Sequence, residues 1–181
     1  RKIFYGLLAC SGIICTIILS LADYRVRRLL AFLDPWKNPR SSGFQIIQSY
    51  LAFSNGGFLG LGIGNSNEKL FYLPEAHNDF IFSVVGEEFG FIGVVLLVFL
   101  YASFVFYGFK VALTFTESSV QILISGIVFL IGLQAIFNMG VVLGLLPTKG
   151  LNLPFFSYGG SSLMCNFFGL GLIFASLRGN R

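Results

Sequence analysis

The sequence predicts an all-α polytopic membrane protein, and three observations carry that prediction. Of 181 residues, 55% are hydrophobic and only 11% charged, with a mean hydropathy of +0.82, whereas a soluble domain carries roughly a quarter charged residues. The 12 basic and 8 acidic side chains are also clustered, with eleven of them between Asp23 and Asp79. Four runs hold no charge at all: Ile3 to Ala22, Phe89 to Phe109, Val120 to Leu146 and Gly150 to Leu177. A helix needs about 20 apolar residues to cross the hydrocarbon core, and each run is long enough. Intrinsic disorder and an ordinary soluble globule are thereby excluded.

The first run predicts a helix over about 3–21. It is too long for a signal-peptide core and has no small-x-small cleavage site before a soluble body. Arg1 precedes it where a methionine would begin a complete chain, so a piece of a longer polytopic protein is expected. A loop over about 22–78 follows, then helices over about 79–109, 120–142 and 158–177. Arg1 and Lys2, Lys110, and Arg178 and Arg181 fall on one side if the helices alternate, and the positive-inside rule makes that side cytoplasmic. The long loop and the segment around Lys149 then face outward together. The net charge of +4 sets topology and meets anionic lipid rather than nucleic acid. Cys10, Cys15 and Cys165 lie in apolar runs, where packing as small hydrophobes is expected and no metal or disulfide framework is supported.

The loop is too long for a passive connector. Phe44, Ile47 and Leu51 share a helical stripe flanked by Ile46, Tyr50 and Phe53, with Gln45, Gln48 and Ser49 opposite, which predicts an amphipathic helix lying in the headgroup plane. The glycine-rich stretch Asn55 to Asn65 lacks a following Walker lysine and a βαβ context, so it predicts tight turns and close backbone approach rather than phosphate binding.

Glu75, His77 and Asp79 cluster where the loop enters the second helix. Two readings stand for Asp79. It, or Asn78, caps a helix N-terminus, where an acceptor and a negative charge are both favourable. Alternatively it is a general base at a boundary between water and apolar surroundings. Ser83, Gly86, Gly90 and Gly93 project within about 40° of Asp79 at 100° per residue. That stripe is either a small-residue groove running inward or a close helix-packing surface. Glu87 and Glu88 lie about 12 Å further along the helix, and carboxylates at that depth are functional candidates by default, as relay or ion-coupling groups or as partners of another helix. Gln134 and Asn138, spaced i and i+4, are expected to hydrogen-bond a neighbouring helix. Lys149, like Arg25, Arg27 and Arg28, either snorkels to headgroups or binds phosphate. One histidine builds neither a catalytic triad nor a metal centre.

The stretch from Asn138 through Pro147-Thr-Lys-Gly150 to Ser157-Tyr-Gly-Gly-Ser-Ser162 closely resembles the hallmark of the SEDS (shape, elongation, division and sporulation) family. Leu73-Pro-Glu-Ala-His-Asn-Asp-Phe-Ile-Phe82 with Gly86-Glu-Glu88 resembles its second motif. Asp34-Pro-Trp36 and Gln45 to Ser49 fall where the family has similar residues in its large outer loop. The resemblance covers nearly the whole chain and is nearer the division members than the elongation ones. It implies the last four helices of a fold of about ten, and a peptidoglycan glycosyltransferase that polymerises lipid II at the outer face of the bacterial cytoplasmic membrane during septal synthesis.

In that resemblance the family's essential aspartate maps onto Asp79, although Asn78 stands where threonine is usual. Substrate contacts are then expected from Arg27, Arg28, Lys69, His77, Glu75, Lys149, Ser157 and Ser161, the cations answering the pyrophosphate. Expected partners are lipid II, a class B penicillin-binding protein transpeptidase, other division membrane proteins and the membrane itself. No cofactor is implied, and a divalent metal is left open. The alternatives are a lipid II flippase relying on Glu87 or Glu88, a non-catalytic division scaffold, and an elongation-type polymerase.

Overall fold

The computed structural model of the chain describes residues 32–37, 39, 43–66, 78–147 and 150–179. The predicted helix over 3–21 lies outside these residues, with Cys10 and Cys15. The described part is helical: a 3-10 turn Pro35–Lys37, then α1 Phe44–Gly56, α2 Ile81–Ala112, α3 Ser118–Val142 and α4 Gly160–Gly179. The last three are each long and apolar enough to cross a membrane. Their outer surfaces carry large exposed hydrophobics, among them Phe91, Leu96, Phe99 and Phe106 on α2. Such a surface suits lipid tails, which are as apolar as the side chains themselves. Cys165 belongs to this surface: it is exposed on α4 rather than buried as a small hydrophobe.

Two buried clusters show the helices alternating in direction. Phe80, Phe82 and Val84 at the start of α2 meet Ala135, Met139 and Val142 near the end of α3, with Leu153 beside them. At the opposite end, Ala112 and Phe115 meet Ile124 and Val128 early in α3 and Ile173 late in α4. Lys110 and Arg178 therefore lie at one end of the bundle, and Asp79 at the other. Small residues bring α2 and α3 close. A Cβ on Gly132 would come 2.7 Å from Val105, and one on Gly108 2.6 Å from Val128, so each helix seats a valine in the other's glycine notch. With no hydrophobic drive between helices in lipid, this close van der Waals fit holds the pair.

Helix α2 is not the single rod predicted over 79–109. Gly90 adopts φ 65° and ψ −162°, splitting the helix in two. A continuous helix would bond Phe91 N–H to Glu87 O and Ile92 N–H to Glu88 O. Here Leu61 N–H donates to Glu87 O (2.9 Å) and Gly62 N–H to Glu88 O (3.0 Å), while Phe91 N–H donates to Gly57 O (2.9 Å) and Ile92 N–H to Phe58 O (3.4 Å). All four groups orphaned by the break are thus taken up by the backbone of the glycine-rich segment. Phe58 also packs edge-on against Phe91, ring centroids 5.6 Å apart. Close approach is what Gly60 provides: a Cβ there would lie 2.1 Å from Glu88 O.

The small-residue stripe below Asp79 is therefore a packing surface and not an open groove. Phe53 of α1 fills the notch at Gly86, the 58–60 backbone fills the one at Gly90, and Phe89 covers Gly93. Ser83 is fully buried, with its hydroxyl donating to Phe80 O at 2.7 Å. The predicted amphipathic helix is α1, but its buried face differs from the predicted one. Ile46, Ile47, Ser49, Ala52 and Gly56 are buried, whereas Tyr50 and Leu51 are partly exposed. Small residues set this face because α1 docks on α2 backbone: a Cβ on Gly56 would meet Gly86 O at 2.0 Å. Ser49 then turns inward, its hydroxyl within reach of Ile46 O (2.8 Å) and Val142 O (2.9 Å) at the end of α3. Tyr50 closes over Gly144, whose φ of 68° ends that helix.

Substituting the glycines of the 57–64 segment separates these effects. Gly60→Ala, which adds a backbone clash to an unfavourable φ of 80°, should cost about 3 kcal/mol or more. Gly64→Ala, where φ is 84° but nothing lies within 4 Å, should cost only about 1–2 kcal/mol. Thermal unfolding of the full-length protein in detergent checks the order.

Candidate functional site

The Asp79 end of the bundle is built on irregular backbone. Residues 78–80 form a turn, and Phe80, not Asn78 or Asp79, occupies the N-cap position of α2, with no side-chain cap. Asp79 is half-buried. Its backbone carbonyl accepts from Asn138 Nδ2 of α3 at 2.8 Å. Its carboxylate lies over Gly150, where a Cβ would come 3.0 Å from Oδ2 and 3.7 Å from Cγ. Asp79 is thus brought against the segment joining α3 to α4, about 70 residues away in sequence, a placement that neither segment shows by itself.

That joining segment has no regular structure over 150–153, and side chains from α2 and α3 donate to the backbone carbonyls of Leu151, Asn152 and Pro154. Asn138 Nδ2 also donates to Leu151 O, and Gln134 Nε2 donates to Asn152 O at 2.8 Å. Tyr101 OH donates to Pro154 O. Leu153 N–H donates to Ser157 Oγ at 2.7 Å, while Leu153 O accepts from Phe156 N–H and Ser157 N–H. Within an apolar surround every orphaned carbonyl would cost free energy, so the match is a condition for the segment existing at this depth. Phe155 takes φ 65°, which costs a non-glycine residue about 1–2 kcal/mol. Its ring is held edge-on between Phe104 of α2 and Phe167 of α4, at 6.3 Å and 5.5 Å. Gln134 and Asn138 therefore share one face, as their spacing predicts. Gln134 Nε2 also donates to Ser162 Oγ of the neighbouring helix α4 at 3.4 Å, and the two amides serve this segment and the Asp79 carbonyl as well.

Of the predicted site residues, Asp79, Ser157, Ser161, Glu87 and Glu88 are described. Ser157 is buried and holds the 153–157 turn, while Ser161 is exposed in the first turn of α4. Glu87 and Glu88 are buried in the short first half of α2, and Ser66, from the end of the glycine-rich segment, donates to Glu87 Oε2. One partner of Glu87 is thus a residue of the loop. Arg27, Arg28, Lys69, Glu75, His77 and Lys149 lie outside the described residues. Tyr101 was not foreseen as part of this end, and a lone tyrosine inside an apolar run carries no signal for it.

The fold and site define a multi-pass helical membrane protein with a half-buried carboxylate placed at the bundle end against irregular backbone. Residues 1–180 match the FtsW/RodA/SpoVE family of cell cycle proteins, and the chain belongs to that family. It is 56% identical over 151 residues to a probable peptidoglycan glycosyltransferase FtsW of Geobacter metallireducens, covering 83% of this chain and 40% of that protein. It is 46% identical over 175 residues to the similarly named protein of Methylococcus capsulatus, covering 95% and 44%. The chain thus spans less than half the length of these relatives.

Among solved structures it resembles a chain of a peptidoglycan synthase complex that coordinates polymerization and crosslinking, with TM-score 0.71 and 36% identity, over 96% of this chain and 47% of that one. It also resembles a point mutant of the rod shape determining protein RodA of Thermus thermophilus, with TM-score 0.55 and 40% identity, over 68% and 38%.

Removing one clamp should loosen the segment measurably. Tyr101→Phe leaves the buried Pro154 carbonyl without its donor and should cost about 1–3 kcal/mol, read as a lowered unfolding temperature of the full-length protein.

Proposed function

We propose that the full-length protein carrying this chain is a peptidoglycan glycosyltransferase that polymerises lipid II into β-1,4 glycan strands at the outer face of the bacterial cytoplasmic membrane, for septal wall synthesis. The observation that carries this reading is the placement of Asp79, a half-buried carboxylate fixed at one end of the bundle over Gly150. The names of the relatives support the reaction class.

In the proposed step Asp79 accepts the proton of the acceptor sugar's 4-hydroxyl. That oxygen forms a bond to the donor's anomeric carbon while the bond from this carbon to the pyrophosphate breaks. The electron pair leaves with undecaprenyl pyrophosphate, and the configuration inverts, as suits a base on one face and a leaving group on the other. Cations stabilise the charge growing on the pyrophosphate. Lys149, adjacent in sequence to Gly150, and Arg27, Arg28 and Lys69 are proposed for that task. Glu75, His77 and the exposed Ser161 are proposed to contact the sugars. Ser157 contributes by holding the turn, and Glu87 with Glu88 by bracing the outer loop against α2. A class B penicillin-binding protein is the proposed crosslinking partner, alongside other division proteins.

The test is lipid II polymerisation by the full-length protein with its cognate transpeptidase. Asp79→Asn, nearly isosteric but unable to take the proton, should lower the rate at least about 100-fold with unchanged assembly. Equal polymer from both proteins would remove Asp79 from the chemistry. Lipid II translocation that Glu87→Gln abolishes and Asp79→Asn spares would replace polymerisation with transport.

A further inference from the structure

Asn138 is 1% exposed and so cannot touch a substrate, yet one amide group of its side chain serves two separate segments. Nδ2 donates to the carbonyl of Asp79 and to the carbonyl of Leu151. Both bonds use donor hydrogens, which fixes the amide's orientation, since an oxygen turned toward two carbonyls would be repelled. Oδ1 has no hydrogen-bond partner among the described residues, so the residue is held in place through its two donations. The hydrogens of a single planar NH2 group lie less than about 2 Å apart and tolerate little angular error. The Asp79 backbone is thereby tied to the 150–151 backbone with narrow freedom. The Asp79 carboxylate rests on Gly150, the residue just before the second tied carbonyl. Gln134 holds the neighbouring carbonyl of Asn152 and does not reach the Asp79 segment, which leaves this task to Asn138.

We propose that Asn138 is a positioning residue for glycosyl transfer, bridging the Asp79 and Leu151 carbonyls so that the Asp79 carboxylate is held over Gly150 in its working position. The inference rests on the reading of Asp79 as the general base. A misplacement of about 1 Å at a reacting group can cost about 100-fold in rate. The bridge acts on the geometry of the base and not on substrate affinity, so its loss falls on kcat and leaves KM alone.

The test uses the full-length protein with its cognate transpeptidase and lipid II, comparing wild type, Asp79→Asn, Asn138→Leu and Gly150→Ala. Asn138→Leu keeps the side-chain size and removes both donors. Gly150→Ala leaves Asn138 intact and pushes only on the carboxylate, at a site whose φ is not in the left-handed region. The expected result is a kcat lowered about 10- to 100-fold in both variants, with KM for lipid II within about twofold of wild type. Wild-type kcat in Asn138→Leu, or a loss carried by KM, overturns the proposal while an inactive Asp79→Asn keeps the base assignment standing. Should Asn138→Leu fail to fold, Gly150→Ala decides: a kcat loss in a protein of normal thermal stability supports the proposal, and wild-type kcat overturns it. An active Asp79→Asn overturns both readings together.

Discussion

The structure depends on one constraint: backbone that leaves the helical hydrogen-bond pattern in an apolar surround must find another partner for every freed N–H and C=O. Among the described residues, two such departures stand out. At Gly90, α2 breaks, and the glycine-rich segment supplies two donors and two acceptors in place of the two helical bonds lost. Between α3 and α4, the chain runs without regular structure, and Tyr101, Gln134, Asn138 and Ser157 supply the missing partners. The first solution is backbone to backbone and needs glycines. The second is side chain to backbone and needs polar residues inside otherwise apolar helices.

These two solutions explain where the polar side chains of the bundle lie. A buried amide or hydroxyl in a membrane helix is costly unless bonded, and Tyr101, Gln134 and Asn138 each bond irregular backbone nearby. Asn138 and Gln134, one helical turn apart, match successive carbonyls of Leu151 and Asn152. The same economy sets Glu87 and Glu88: their carbonyls bond the outer segment, and the Glu87 carboxylate takes a further bond from Ser66. The outer segment is therefore joined to α2 at both backbone and side-chain level, and α1 continues that attachment through Gly56 and Phe53 to Gly86. Asp79 sits on the turn before α2 and against the second of these regions, its carboxylate over Gly150.

Much of this was legible in the sequence, and the limits have physical causes. The uncharged runs gave α2, α3 and α4 because length and polarity alone decide whether a helix can span a bilayer. The glycine-rich stretch gave close approach, but not what it approaches, since a glycine records only that a side chain is unwelcome. Gly90 read as one of several small residues on a stripe, because an isolated glycine within a helix is compatible with either packing or a break. Ser49 lies on the buried face of α1, opposite to the one its polarity predicts. Its hydroxyl serves the end of α3, and the helix buries its small residues to reach the α2 backbone. The i, i+4 pair in α3 announced a polar face toward a neighbouring helix, which Ser162 of α4 answers, but not the carbonyls of the joining segment, and Tyr101 announced nothing. Motif resemblance singled out Asp79, and the hydrogen bond of Asn138 to its carbonyl appears only in three dimensions.

The exchange of bonds at Gly90 has a consequence for how this part of the chain can vary. An ordinary surface loop tolerates insertions and deletions because its backbone answers to water. The segment from Gly57 to Gly62 answers to four fixed partners, at Glu87, Glu88, Phe91 and Ile92. One added or deleted residue would carry Gly60 away from the Glu88 carbonyl and bring a side chain to a place where none fits, disturbing the bonds that fill the helix break. This stretch of an apparently loose outer loop is thus locked in length as firmly as a strand in register, and variation in loop size is confined to positions outside it.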